Sequence, residues 1–143
     1  METSSIVRAV KRAGIVAFGA AMVTAGLAAP AMADRDGSFN AGSDFAVSQH
    51  TNYGGYIYDR ALNQEGNYGP LYFVNSNLHV GDNASSSRNG RSVRIYGYVD
   101  SWCGGATVTH LPYGQVSGSV SWGYTALGWA NDRFSSHSSA TSC

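Results

Sequence analysis

The strings Asp82-Asn83-Ala84-Ser85-Ser86-Ser87 and Asn131-Asp132-Arg133-Phe134-Ser135-Ser136 share one grammar, Asx-Asx-x-x-Ser-Ser, and each begins four residues after a leucine, Leu78 or Leu127. Recurrence at a fixed 49-residue offset implies a duplicated structural unit. A single copy would be an ordinary turn, because Asx and Ser side chains hydrogen-bond their own backbone and tolerate unusual dihedrals. Two copies gather carboxylate, carboxamide, hydroxyl and turn-carbonyl oxygens, the hard donors that calcium takes.

Ahead of the repeats, Arg8, Lys11 and Arg12 precede an uncharged run from Ala13 to Ala29 that ends at Ala31-Met32-Ala33. This pattern predicts a secretory signal peptide over residues 1–33 and a secreted, extracellular mature chain. The run is too short and too rich in Ala and Gly for a membrane span, and no later segment approaches the roughly 20 apolar residues required. The remaining 110 residues suffice for one core. They carry six arginines and eight acids, with no basic stripe, which argues against nucleic acid as a partner. Export makes a disulfide the expected state of Cys103 and Cys143, the only two cysteines.

Residues 34–44 are small and polar and read as a flexible leader. Extended segments are expected over residues 45–47, 56–58, 71–74, 93–99, 106–111 and 116–122. Val93, Ile95, Gly97 and Val99 alternate with Arg94, Tyr96, Tyr98 and Asp100, the period of a strand. Asn52-Tyr53-Gly54-Gly55 is echoed by Ser101-Trp102-Cys103-Gly104-Gly105, so the duplication extends beyond the hexapeptides. No stretch supports a long amphipathic helix. Each half, with about 45 to 50 residues and one apolar face, needs the other, so the expected fold is all-β, two Greek keys packed as a sandwich over residues 45–143. The first key spans about 45–91 and the second about 92–143.

The two signatures, with Val93-Arg94-Ile95-Tyr96 and Gly104-Gly105 as opening strand and hairpin, resemble the βγ-crystallin fold, particularly its microbial calcium-binding members. The first key departs at Ser48, where an aromatic is usual. The resemblance implies two weak calcium sites, each shared between the keys. Carried over by position, Asn83, Ser86, Asp132 and Ser135 offer side-chain oxygens, Ala84 and Arg133 offer carbonyls, and the opposite hairpins contribute carbonyls near Gln49 and Gly97. With at most one carboxylate per ion, dissociation constants nearer ~10⁻⁴ than 10⁻⁸ M are expected.

No catalytic motif is present: His50, His79, His110 and His137 fall in no nucleophile elbow or metal-protease pattern, and the chain reads as non-catalytic. Secreted bacterial metalloproteinase inhibitors are similar in size and fold, which makes an extracellular protease a candidate partner, with residues 62–70 or 100–105 as the rigid loop. Extracellular structural or stress-related calcium binding, carbohydrate binding through surface aromatics, and a small-toxin role are the alternatives. A monomer is expected.

Overall fold

The computed structural model describes residues 35–143, and the signal peptide expected over residues 1–33 lies outside the described residues. The first half supplies β1 (Phe45–Ser48), β2 (Ile57–Arg60), β3 (Gln64–Glu65) and β4 (Ser86–Asn89). The second supplies β5 (Ile95–Asp100), β6 (Gly104–His110), β7 (Val116–Ser117), β8 (Val120–Ser121), β9 (Gly123–Tyr124) and β10 (Ser136–Ser138). The architecture is all-β, two sheets packed as a sandwich. One sheet has the order β2-β1-β4-β9 and the other β3-β10-β5-β6-β8-β7. Each half lends one strand to the other half's sheet, β3 from the first and β9 from the second. Glu65 of β3 pairs with His137 of β10, and Tyr124 of β9 pairs with Ser87 of β4.

The pairing fixes the internal symmetry. Ser48 opposes Ser86 in one sheet, and Tyr98 opposes Ser136 in the other. Equivalent positions therefore differ by 50 residues, one more than the hexapeptides suggest. Left-handed backbone follows the same spacing: Asn52 with Trp102, Tyr53 with Cys103, Gly55 with Gly105, and Asp82 with Asp132 all have positive φ. Insertions in the two halves cancel. Glu65 and Tyr124 lie 59 residues apart because the β7–β8 hairpin lengthens the second half. The first half regains those nine residues in the longer connection from Glu65 to Asp82.

Phe45, Val47 and Tyr58 from the first half and Ile95, Val99 and Phe134 from the second share one core. Burying each such side chain stabilises the fold by about 1.5–3 kcal/mol before conformational entropy is subtracted. The segment expected over residues 71–74 is not a strand and holds only an isolated bridge, Tyr72 with His79. Residues 116–122 split into a hairpin around Gly118, whose φ of 59° suits the reversal. Conversely, the signature serines open central strands: Ser86 begins β4 and Ser136 begins β10.

Residues 35–44 are tied down and do not form the free leader expected from composition. The amides of Asp36 and Gly37 donate to the Asp59 carboxylate at 3.2 and 3.0 Å, and Gly42 donates to the Gly90 carbonyl at 2.6 Å. Phe39 lies against Trp122, and the Arg88 guanidinium sits 4.3 Å from the Phe39 ring centroid. Cys103 and Cys143 are joined in a disulfide with Cα atoms 5.3 Å apart, tying the C-terminus to the turn before β6. No helix among the described residues is long and apolar enough to cross a membrane.

Candidate metal centre

The two signature loops meet about a pseudo-twofold relation. Each begins as a tight turn, with the Asn83 amide donating to the Val80 carbonyl at 3.2 Å and the Arg133 amide to Ala130 at 3.3 Å. Asp82 and Asp132 then take left-handed φ values of 58° and 52°, which Asp tolerates better than most residues. The loops cross-link through backbone: Asp82 N–H donates to Phe134 C=O at 3.2 Å, and Asp132 N–H donates to Ala84 C=O at 2.9 Å. Side chains repeat the exchange. The Ser135 hydroxyl donates to Asp82 Oδ1 at 3.2 Å, and the Ser85 hydroxyl to Asp132 Oδ1 at 3.3 Å. Each corner therefore couples a surface carboxylate from one half with a hydroxyl from the other.

This geometry shifts the first loop by one residue from the alignment read in sequence. Ser86 is buried, donates to the His50 carbonyl at 2.6 Å and accepts from the Tyr53 amide at 3.1 Å, so its hydroxyl closes the first hairpin. Ser136 does the same in the second hairpin, donating to Asp100 O and accepting from Cys103 N. Ser85 is thus the partner of Ser135, and Asp82 the partner of Asp132. Asn83 turns its carboxamide back to Gly81 O at 2.9 Å, and the Ala84 carbonyl is engaged by Asp132 N–H. By the same spacing the counterpart of Arg133 is Asn83, whose carbonyl replaces that of Ala84 as the candidate donor.

Gln49 and Gly97 are not equivalent either. Gln49 corresponds to Val99, whereas Gly97 lies mid-strand opposite His137 and Val108. A Cβ at Gly97 would come within 2.6 Å of Phe134 Cε2, which places that residue against the core and not at a corner. The hydroxyl–carboxylate contacts at the corners thus involve Ser135 and Asp132 of the expected residues together with Asp82 and Ser85, which the sequence pattern did not single out. The matched glycine pairs Gly54-Gly55 and Gly104-Gly105, 50 residues apart, carried the signal for the correct register.

The corners offer oxygen only: one carboxylate, one hydroxyl and turn carbonyls in each. No group of three or more His, Cys, Asp or Glu side chains able to hold a metal occurs among the described residues. That composition fits a hard cation bound weakly and does not fit zinc, which prefers sulfur and nitrogen ligands.

A Ser–His contact also exists, with the Ser87 hydroxyl 2.7 Å from His110 Nε2, but both residues are fully buried. His137 is buried too, with Nδ1 2.5 Å from the Tyr68 hydroxyl. Burial lowers the pKa of His110 to about 3 and that of His137 to about 4, so both are neutral core residues at neutral pH. Asp59 and Glu65 make separate contacts, Asp59 with the amides of residues 36 and 37 and Glu65 with the Tyr58 hydroxyl. Of the strand and loop aromatics that a sugar platform would need, Tyr58 and Tyr98 are buried, Tyr96 is half-buried and Trp122 packs between Phe39 and Tyr113, whereas Tyr56 and Trp129 are exposed.

No family model and no curated protein matches the sequence. The structure aligns with a solved structure described as "Evolution of the eye lens beta-gamma-crystallin domain fold", with a TM-score of 0.51 and 19% identity over 70% of this chain and 88% of that one. The fold is that of the βγ-crystallins. At this identity the likeness carries fold alone.

Proposed function

We propose that this is a secreted, non-catalytic βγ-crystallin-type domain that binds two calcium ions at its exchanged corners. One site would draw on Asp82, Ser135 and the Arg133 carbonyl, the other on Asp132, Ser85 and the Asn83 carbonyl, with hairpin carbonyls at Gln49 and Val99. The observation that carries this reading is the reciprocal pair Ser135–Asp82 and Ser85–Asp132, which brings oxygen donors from both halves to each corner. An ion at either corner would link the two keys and so stabilise the packed state over the unfolded chain, which lacks both corners.

The test is melting of chelator-treated protein titrated with calcium. At dissociation constants of ~10⁻⁴ to 10⁻⁵ M, millimolar calcium stabilises by about 1.4–2.7 kcal/mol per site. The lower value corresponds to a Tm rise of roughly 6–10 °C for a domain of this size. The double variant Ser85→Arg, Ser135→Arg should melt without any calcium response. An unchanged wild-type Tm, or an equal rise in the double variant, overturns the assignment.

Inhibition of an extracellular peptidase is a second reading, favoured by Trp102. This side chain is 71% exposed on a turn held by the adjacent disulfide and by the hydrogen bond that the Trp102 backbone N–H donates to Gly66 C=O at 2.6 Å. A pre-ordered protruding loop lowers the entropy cost of docking. Saturable loss of thermolysin activity, abolished by Trp102→Ala, supports it, and simple digestion of the protein removes it.

A further inference from the structure

Along β4 the side chains of Ser87 and Asn89 turn into the protein, Ser87 to His110 Nε2 and Asn89 to the carbonyls of Val93 and Leu111. Arg88 between them therefore turns to the outer face of the first sheet. There its guanidinium carbon lies 4.3 Å from the Phe39 ring centroid and 4.8 Å from that of Tyr53. Gly123, opposite Arg88 on β9, leaves room for this pairing: a Cβ there would stand 2.7 Å from the Tyr53 hydroxyl and 3.3 Å from Arg88 Cβ. What the guanidinium lacks is an acceptor. Arg35 donates to Tyr72 O, Arg60 pairs with Glu65 at 3.9 Å, and Arg91 donates to Ser43 O and Ala61 O. Arg88 makes neither hydrogen bond nor ion pair among the described residues, and its Nε–H is enclosed without a partner. Asp59 shares this face but is two strands away, about 10 Å by strand spacing, and accepts the amides of Asp36 and Gly37. Burial lowers the Arg88 pKa, and the group acting against that shift is Tyr53, not a carboxylate.

We infer that Arg88 and the Tyr53 hydroxyl bind the carboxylate of a small monoanionic ligand with an apolar body. The two rings hold the guanidinium in place, and cation–π contact compensates only part of the hydration it gives up. A carboxylate supplies the rest, because its two oxygens match the paired Nη–H bonds of the fork. The Tyr53 hydroxyl, which has no hydrogen-bond partner among the described residues, adds a third donor beside it. One cation and one hydroxyl suit a single negative charge, and no lysine lies among the described residues to balance a second. Tyr113, 47% exposed, stands edge-on to Trp122 and beside Phe39, which gives the rest of the ligand an aromatic surface. None of the corner donors takes part, so the site is tested in chelator, apart from calcium.

The probe is phenylacetate, titrated at fixed ionic strength and neutral pH into isotope-labelled protein while the Arg88 Nε–H resonance is followed by NMR. Expected is a saturable shift of that signal, with the Tyr53 and Gly123 amides moving alongside, and no shift with phenylacetamide. Arg88→Lys keeps the charge but loses the fork and should weaken binding about tenfold, read from the same two amides. Tyr53→Phe should weaken it about threefold or more while Tm moves by no more than about 2 °C, which keeps the test decisive should the lysine variant fold poorly. Absence of a saturable shift at tens of millimolar phenylacetate overturns the inference. So do equal shifts with phenylacetamide, undiminished binding in the Tyr53→Phe protein, or inorganic phosphate binding more tightly than phenylacetate.

Discussion

The Phe134 ring fills the space that a side chain at Gly97 would need: a Cβ there would sit 2.6 Å from Phe134 Cε2, well inside van der Waals contact. The contact joins the strand that opens the second key to the loop that carries its corner. Gly97→Ala forces either β5 or the Phe134 loop to move, and a loss of about 1–3 kcal/mol is expected by urea denaturation. A change below about 0.5 kcal/mol would mean that Phe134 is free to swing away.

Adjacent serines should separate stability from metal response. Ser86→Ala removes a buried hydroxyl that bonds both His50 O and Tyr53 N, and should cost about 1–3 kcal/mol while leaving a calcium-dependent rise in Tm. Ser85→Ala removes only the 3.3 Å contact to Asp132, and should cost under about 1 kcal/mol in chelator but halve the calcium-induced rise. The reverse pattern would restore the 49-residue register.

Acid should destabilise the protein with a slope set by three buried groups. His110 and His137 have pKa values lowered by burial from 6.5 to about 3 and about 4, so the stability they confer is present above pH 6.5 and is lost as the pH falls toward those values. Burial acts oppositely on Asp59, raised to about 6, whose stabilising contribution is present below its unfolded value and lost as pH rises through 6. Near pH 5 the unfolded chain therefore holds about two protons on the histidines that the folded chain lacks, and the folded chain holds about one on Asp59 that the unfolded chain lacks. The net of one proton gives a fall of about 1.4 kcal/mol per pH unit. Urea denaturation at pH 6 and pH 4.5 measures it. In Asp59→Asn the slope should approach about 2.7 kcal/mol per unit.

Cutting the disulfide should act on the unfolded state first. A bridge with a sequence separation of 40 is worth about 4 kcal/mol in the chain-entropy model, and Cys143→Ser with Cys103→Ser should lose a comparable amount. Because Cys103 N–H donates to Ser136 beside the Ser135 corner, calcium affinity should weaken at the Asp82–Ser135 site before the Asp132–Ser85 site. Calorimetric titration of the double serine variant reads both.

Duplication, strand alternation and the sandwich were legible because each rests on side-chain periodicity and on two halves too small to stand alone. The register of the first corner was not. Asp82-Asn83-Ala84 followed by three serines satisfies the signature in one frame, while the backbone sets another, one residue earlier. What decides between them is long-range: the hairpin hydroxyl site can be filled only by the serine that opens the central strand, Ser86, as Ser136 does in the second half. The anchoring of residues 35–44 was invisible for a related reason. Its hydrogen bonds go to Asp59 and Gly90, partners distant in sequence, and polar composition carries no record of them.

The traded strands β3 and β9 also set how the molecule can go astray. Residues 90–94 are the link between the two keys, and the exchange they span has the connectivity that two chains could also complete between them. At high concentration during refolding, intertwined dimers are the natural by-product, and shortening that link would make them the favoured species. Such dimers would keep every sheet and both oxygen-lined corners intact, and they would be told from the parent by mass and by a Tm that rises with protein concentration.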